Sequence, residues 1–297
     1  MKKIVVLLLS IFLVSCSLMG NNPEKEEKDM SVNNNKITQE VVPNVEEKIE
    51  EVSMKQKLSD SPRHQEWVEI DNNGKTIHAF VVYPENKENS SAVVMIHENK
   101  GLNDWARSMA DQVAAEWHIV IAPDLLSSFD EEKQKTSDFA SPDEATQALY
   151  SLSQDVISSD LQAVADYAQS LETFNGNLIS AWFCWGGSQS FRLANNADDF
   201  KASLVFYGTA PEEDDFYENV DIPVYGFYAE NDDRVNATIE STENKMQTNE
   251  KTFKYEYYNW VGHAFMRKAD TDSSDILSND AKNIAFERMK TILSEYK

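Results

Sequence analysis

An α/β architecture, with one mostly parallel eight-stranded sheet flanked by helices, is the fold class this sequence predicts. Three observations carry the expectation. From about residue 66 onward, short apolar runs alternate with amphipathic stretches, the pattern of successive βα units. Several runs are continuously apolar rather than alternating, which implies strands buried on both faces. The 297 residues, 41% of them hydrophobic, suffice for one sizeable core plus an extension.

Strands are expected over residues 67–70, 77–83, 92–96, 119–122, 178–183, 202–207, 224–228 and 253–258. Helices are expected over 105–116, 156–171, 188–195, 237–247 and 280–296, where apolar residues recur at helical spacing. The stretch 126–155 is polar and acidic. Within it, Ser141-Pro142-Asp143-Glu144 reads as an N-cap, a first-turn proline and a capping-box glutamate, so a short helix should start there. This insertion follows the C-terminal end of a strand, the side where open α/β sheets bind ligands. It is either a partial cover for a site or a solvated excursion.

Lys2 and Lys3 precede an apolar run over residues 4–14, the pattern of a secretory leader and too short to span a bilayer. Leu13-Val14-Ser15-Cys16 resembles the bacterial lipobox. That resemblance implies a signal peptide over 1–15 and a lipidated Cys16, holding the chain on the outer membrane or the outer face of the cytoplasmic membrane. Each buried methylene of such an anchor contributes about 0.8 kcal/mol. An ordinary signal peptide with an incidental cysteine is the alternative. Residues 16–60 are rich in Asn, Glu, Lys and Ser and are expected to be a flexible acidic tether, leaving 61–297 as the folded domain. A formal net charge of −24 repels phosphates and argues against nucleic acid as a partner.

Of the 2 cysteines, lipidation of Cys16 would leave Cys184 as a lone thiol. Phe183-Cys184-Trp185-Gly186-Gly187 follows an apolar strand and precedes a helix, the context of a nucleophile elbow. The helix N-terminus there favours negative charge and so the thiolate. An inert buried cysteine is the alternative. Tyr228-Ala229-Glu230-Asn231-Asp232-Asp233 follows a later strand and offers an acid, Asp232, with Asp233 or a plain turn as alternatives. Gly262-His263-Ala264-Phe265 follows the last strand and offers a base. The other histidines, His64, His78, His97 and His118, lie in or near strands or toward the N-terminus.

Over about residues 66–296 the chain resembles the dienelactone hydrolase family of the α/β-hydrolase superfamily. The resemblance runs through Met95-Ile96-His97-Glu98-Asn99-Lys100-Gly101-Leu102-Asn103, Ala122-Pro123-Asp124-Leu125-Leu126, the cysteine elbow, and the Asp232 and His263 loops. It implies the α/β-hydrolase fold and carboxymethylenebutenolidase-like hydrolysis of a small ester or lactone by a Cys184-His263-Asp232 triad, with no cofactor and no metal. It also implies that Glu98 contacts the resting thiol and helps generate the thiolate; helix capping is the alternative for Glu98. By the same resemblance, the backbone amides of Trp185 and Asn99 form the oxyanion hole and Arg267 binds a substrate carboxylate. Two departures stand out: Trp182 occupies the usual glycine position before the nucleophile, and Ser127 and Ser128 stand where a companion arginine is expected. Trp105, Trp185, Phe265 and Tyr207 are candidates for an apolar pocket. A thioesterase or other acyl hydrolase, or a catalytically silent binding lipoprotein, are the competing functions.

Overall fold

The computed structural model describes residues 53–297, apart from 86–88, 187–188, 190, 192–193 and 195–198. The expected leader, Cys16 and the tether up to residue 52 lie outside the described residues.

The strands are β1 (Gln65–Asn72), β2 (Lys75–Val82), β3 (Ser90–Ile96), β4 (Ile119–Pro123), β5 (Phe174–Phe183), β6 (Phe200–Phe206), β7 (Val224–Asn231) and β8 (Phe253–Gly262). They form one sheet in the order β1-β2-β4-β3-β5-β6-β7-β8. β1 and β2 pair antiparallel, β2 runs antiparallel to β4, and β3 through β8 are mutually parallel. All eight expected strands are present, and most extend a few residues beyond the apolar stretch that signalled them.

Strand alternation divides the core. Val93 and Met95 of β3 join one buried cluster, whereas Ala92, Val94 and Ile96 join another, so each face of the sheet carries its own core. The first cluster packs under α1 (Met54–Ser59), α2 (Asp104–Ala114), α6 (Phe265–Thr271) and α7 (Ile276–Ser294). The second packs under α3 (Pro142–Ser151) and α4 (Gln154–Ser170). α5 (Asp233–Thr248) sits at the β7–β8 end, where Val235 and Ile239 pack on Tyr228. Each fully buried Val, Leu, Ile or Phe contributes about 1.5–3 kcal/mol, which makes the two clusters the main source of stability.

The expected tether boundary needs correction. Residues 54–59 form α1, capped by Ser53 and buried at Leu58, and just beyond it Ser61 and Arg63 bind the buried Asp111. Local composition hid this, because the partner acid lies on α2, distant in sequence. The start at Ser141 is as expected: its side chain accepts from the Glu144 amide, and Glu144 reaches back to the Ala140 amide. The helix expected over 188–195 falls largely outside the described residues, although Gln189, Phe191 and Ala194 are helical. α6, of seven residues, was not anticipated; it is too short to show periodicity.

Candidate active site

β5 delivers Cys184 to the C-terminal edge of the sheet, where the chain turns into the short 3₁₀ segment Cys184–Gly186. Cys184 has φ +59°, a left-handed conformation that costs a non-glycine residue energy and is characteristic of strained functional turns. Trp182 does not obstruct this turn. It is still on β5, and strand alternation sends its indole into the core under α3 and α4, where it is fully buried.

Three side chains from three separate loops converge at this edge. His263 Nε2 lies 2.9 Å from Cys184 Sγ, and His263 Nδ1 lies 2.5 Å from Asp232 Oδ2. Asp232 is also the N-cap of α5, accepting from the Val235 amide through Oδ1 at 3.4 Å, so one carboxylate caps a helix and orients the imidazole. The neighbouring Asp233 is exposed in the first turn of α5. Because Asp232 accepts at Nδ1, the proton sits there and Nε2 is left to face the thiol.

The electrostatics follow from these contacts. Burial would raise the Asp232 carboxyl, but the hydrogen bond and charge of His263 outweigh it and hold Asp232 below its ordinary value. Burial would likewise lower His263, yet its bonds to Asp232 and Cys184 prevail and raise it to about 9. The edge of the buried Tyr207 ring packs against the imidazole, with centroids 5.1 Å apart, closing that side to water.

Glu98 is placed differently from expectation. Its buried carboxylate accepts from the Tyr207 hydroxyl at 3.1 Å and from Arg267 Nε at 2.6 Å, while the thiol bonds His263 instead. The reason is competition: a guanidinium and a phenol make stronger hydrogen bonds to a carboxylate than a thiol does. Glu98 therefore positions Arg267, and Arg267 is itself half buried beside this carboxylate. Tyr207 was anticipated only as apolar lining, because a tyrosine ending an apolar strand does not reveal where its hydroxyl points. Tyr207 and Phe265 belong to the core rather than to the pocket wall.

A cavity of about 650 Å³ opens over the thiol, lined by Cys184, His263, Asn99, Trp185 and Arg267. Asn99 is held by its carbonyl, which accepts from Thr146 Oγ1 of α3 at 2.8 Å. Leu149 and Tyr150 of the same helix complete the wall, so the 126–155 insertion does cover the site. Lys100 and Arg234, neither singled out from the sequence, add positive charge to the lining.

The fully buried His97 is a strut. Its Nδ1 donates to the Glu98 carbonyl at 2.8 Å and its Nε2 accepts from the Leu125 amide at 3.3 Å, tying together the loops after β3 and β4. Burial keeps it neutral by lowering its pKa. Ser127 and Ser128, at the position of the absent arginine, bind β2 backbone: Ser127 Oγ accepts from the His78 amide and Ser128 Oγ donates to the Thr76 carbonyl.

Comparison with known proteins agrees with this architecture. A protein of Saccharolobus solfataricus carrying the name "Putative carboxymethylenebutenolidase" is 25% identical over 252 residues, covering 75% of this chain and 95% of its own. Protein usf of Aquifex pyrophilus is 26% identical over 237 residues, covering 76% of this chain and 98% of its own. Among solved structures, a dienelactone hydrolase-like promiscuous phosphotriesterase from metagenomic libraries superposes with a TM-score of 0.66 at 19% identity, covering 79% of this chain and 98% of that one. This places the fold among the α/β-hydrolases. The family model described as "Dienelactone hydrolase family" matches residues 77–297, and the chain belongs to that family of hydrolases.

Proposed function

We propose that the protein is a cysteine-dependent hydrolase of carboxylic esters or lactones that works through an acyl-enzyme. The observation that carries this reading is the hydrogen-bonded chain from Cys184 through His263 to Asp232 at the mouth of a cavity. The thiol proton passes to His263 Nε2, whose raised pKa favours the thiolate–imidazolium pair; Sγ then attacks the carbonyl carbon, and Asp232 stabilises the imidazolium. Backbone amides of Trp185 and Asn99 receive the oxyanion. As the carbonyl re-forms, the C–O bond to the leaving alcohol breaks and His263 returns its proton to that oxygen. Water then attacks the thioester, His263 takes one of its protons, and the acid leaves as the thiol is restored. Arg267, oriented by Glu98, receives a substrate carboxylate near the reacting carbon.

By the same reasoning from the leader and lipobox, the chain is exported and anchored through a lipidated Cys16, with the intervening residues as a tether. Among the described residues no helix is long and apolar enough to cross a membrane.

A panel of short p-nitrophenyl esters, thioesters and lactones tests the reading. The wild type should hydrolyse oxygen esters or lactones, and Cys184→Ala should lose at least about 10³-fold in kcat/KM with unchanged thermal unfolding. Undiminished turnover by Cys184→Ala would remove the thiol from the chemistry.

A further inference from the structure

Beside the thiol cavity lies a second one of about 770 Å³, and the two share Lys100 and Arg267 in their walls. Trp67, Trp105 and Phe139 give the second cavity apolar surface. Its charge is unlike that of the rest of the molecule. The chain carries a formal net charge of −24, yet this wall holds the cations Lys100, Arg107, Lys135 and Arg267 against the carboxylates Asp104 and Asp124.

Both carboxylates are already engaged. Asp104 pairs with Arg107, whose guanidinium also lies over the Trp67 ring. Asp124 is buried, accepting from the Thr136 amide and hydroxyl and from the Leu126 amide. Arg267 is bound to Glu98. Lys100 and Lys135 remain: both are partly buried, and neither forms an ion pair among the described residues. Lys135 Nζ is held 5.8 Å from the centre of the Trp67 ring, so an ammonium group stands beside an aromatic surface at the cavity wall.

The wall is built rather than incidental. Lys135 and Phe139 come from the loop between β4 and α3, and that loop is fastened by Thr136 both to Asp124 and to the Leu102 amide, where Thr136 Oγ1 accepts at 3.0 Å. Partly desolvated cations without counter-charges, next to apolar surface and in a wall shared with the cavity that holds the thiol, are the means to recognise an acid at the end of an apolar arm.

We propose that this second cavity is a substrate subsite for an apolar arm ending in a carboxylate, held by Lys100 and Lys135 while the ester carbonyl sits at Cys184. The inference rests on the hydrolase reading and names its substrate class: esters that carry an acid remote from the scissile bond. It is distinct from a carboxylate held at Arg267 beside the reacting carbon.

The test compares matched esters. On the acyl side the pair is p-nitrophenyl hydrogen suberate and its methyl-capped counterpart, with the glutarate pair as a shorter arm; on the alcohol side, acetyl esters of ω-hydroxy acids are compared with their methyl esters. The acid should exceed its capped partner in kcat/KM by about tenfold in at least one series, as expected of a charge-assisted contact. The advantage should appear in KM, fall with ionic strength, and collapse in Lys135→Gln and Lys100→Gln. Lys251→Gln, which removes equal charge at a residue bound to Asp221, should preserve it. Equal rates for acid and capped esters in every series, or an acid preference that survives both lysine substitutions, would overturn the subsite.

If no ester is turned over, the hydrolase reading fails separately. The subsite is then read by tryptophan fluorescence on titration with monobenzyl suberate, since Trp67 and Trp105 line the cavity. Binding weakened about tenfold by Lys135→Gln supports it; equal binding overturns it.

Discussion

At the residue scale, the site is defined by one imidazole held between an acid and a thiol. The raised pKa of His263 has a thermodynamic consequence with a definite sign. A group whose folded value lies above its unfolded one stabilises the fold fully below the unfolded value and loses that contribution as pH rises through the folded value. For His263 the window runs from the ordinary 6.5 to about 9. Asp232 acts in the opposite sense: its folded value is below 3.8, so its contribution is present above that pH and is lost on acidification. The difference in unfolding free energy between wild type and His263→Ala, measured in urea, should therefore be largest between about pH 4 and 6.5 and shrink toward pH 9. A difference that grows with alkalinity would contradict the bonding described.

At the element scale, the fold brings the residues of the candidate site to one edge by ending β3, β5, β7 and β8 there, and the loops are then fixed by buried polar struts. The loop after β3 depends on Gly101, which has φ +71° and against which Thr136 Oγ1 would stand 2.2 Å from any added Cβ. Gly101→Ala should destabilise the protein by about 1–3 kcal/mol, combining the left-handed penalty with displacement of Thr136. It should also loosen the segment around residues 127–141, read as faster limited proteolysis there. A variant as stable and as protease-resistant as wild type would show that this contact does not hold the loop.

Much of this element-level arrangement was legible in the sequence, and the reasons are specific. The central parallel strands read clearly because burial on both faces leaves continuous apolar runs; Cys184 follows such a run directly, Asp232 follows one after the exposed Glu230 and Asn231, and His263 follows the more exposed edge strand β8. Glu98 was found but given the thiol as its contact, because its partners, Tyr207 and Arg267, come from the residue after β6 and from α6, and sequence order does not show which side chains meet across the sheet edge. α1 was hidden for the same reason: Leu58 acquires meaning only against the core cluster it joins, and Arg63 only against Asp111. The 126–155 insertion left two alternatives open, since polar composition alone does not separate a wall from a surface excursion; Thr136 and Thr146, through their bonds to Asp124 and Asn99, decide for the wall.

At the scale of the whole molecule, the proposed anchor and the described domain are separate functions of one chain. Cys16→Ala should move the protein from the membrane fraction to the soluble exported fraction without lowering its hydrolysis of neutral aryl esters. Retention of that variant on membranes after detergent-free fractionation would sink the lipid-anchor proposal. On a molecule of net charge −24, the cations of the proposed subsite would offset a field that otherwise repels acidic substrates.

The most direct test of the central claim is to trap the acyl-enzyme. Wild-type protein mixed with p-nitrophenyl acetate and quenched in acid within the first turnovers, then analysed by intact and peptide mass spectrometry, should carry one acetyl group on the peptide containing Cys184. Wild type should release p-nitrophenol in a burst if deacylation is the slower step, and Cys184→Ala should show neither adduct nor burst. Hydrolysis by Cys184→Ala at the wild-type rate, or an acetyl group found on another residue with Cys184 unmodified, would contradict the account.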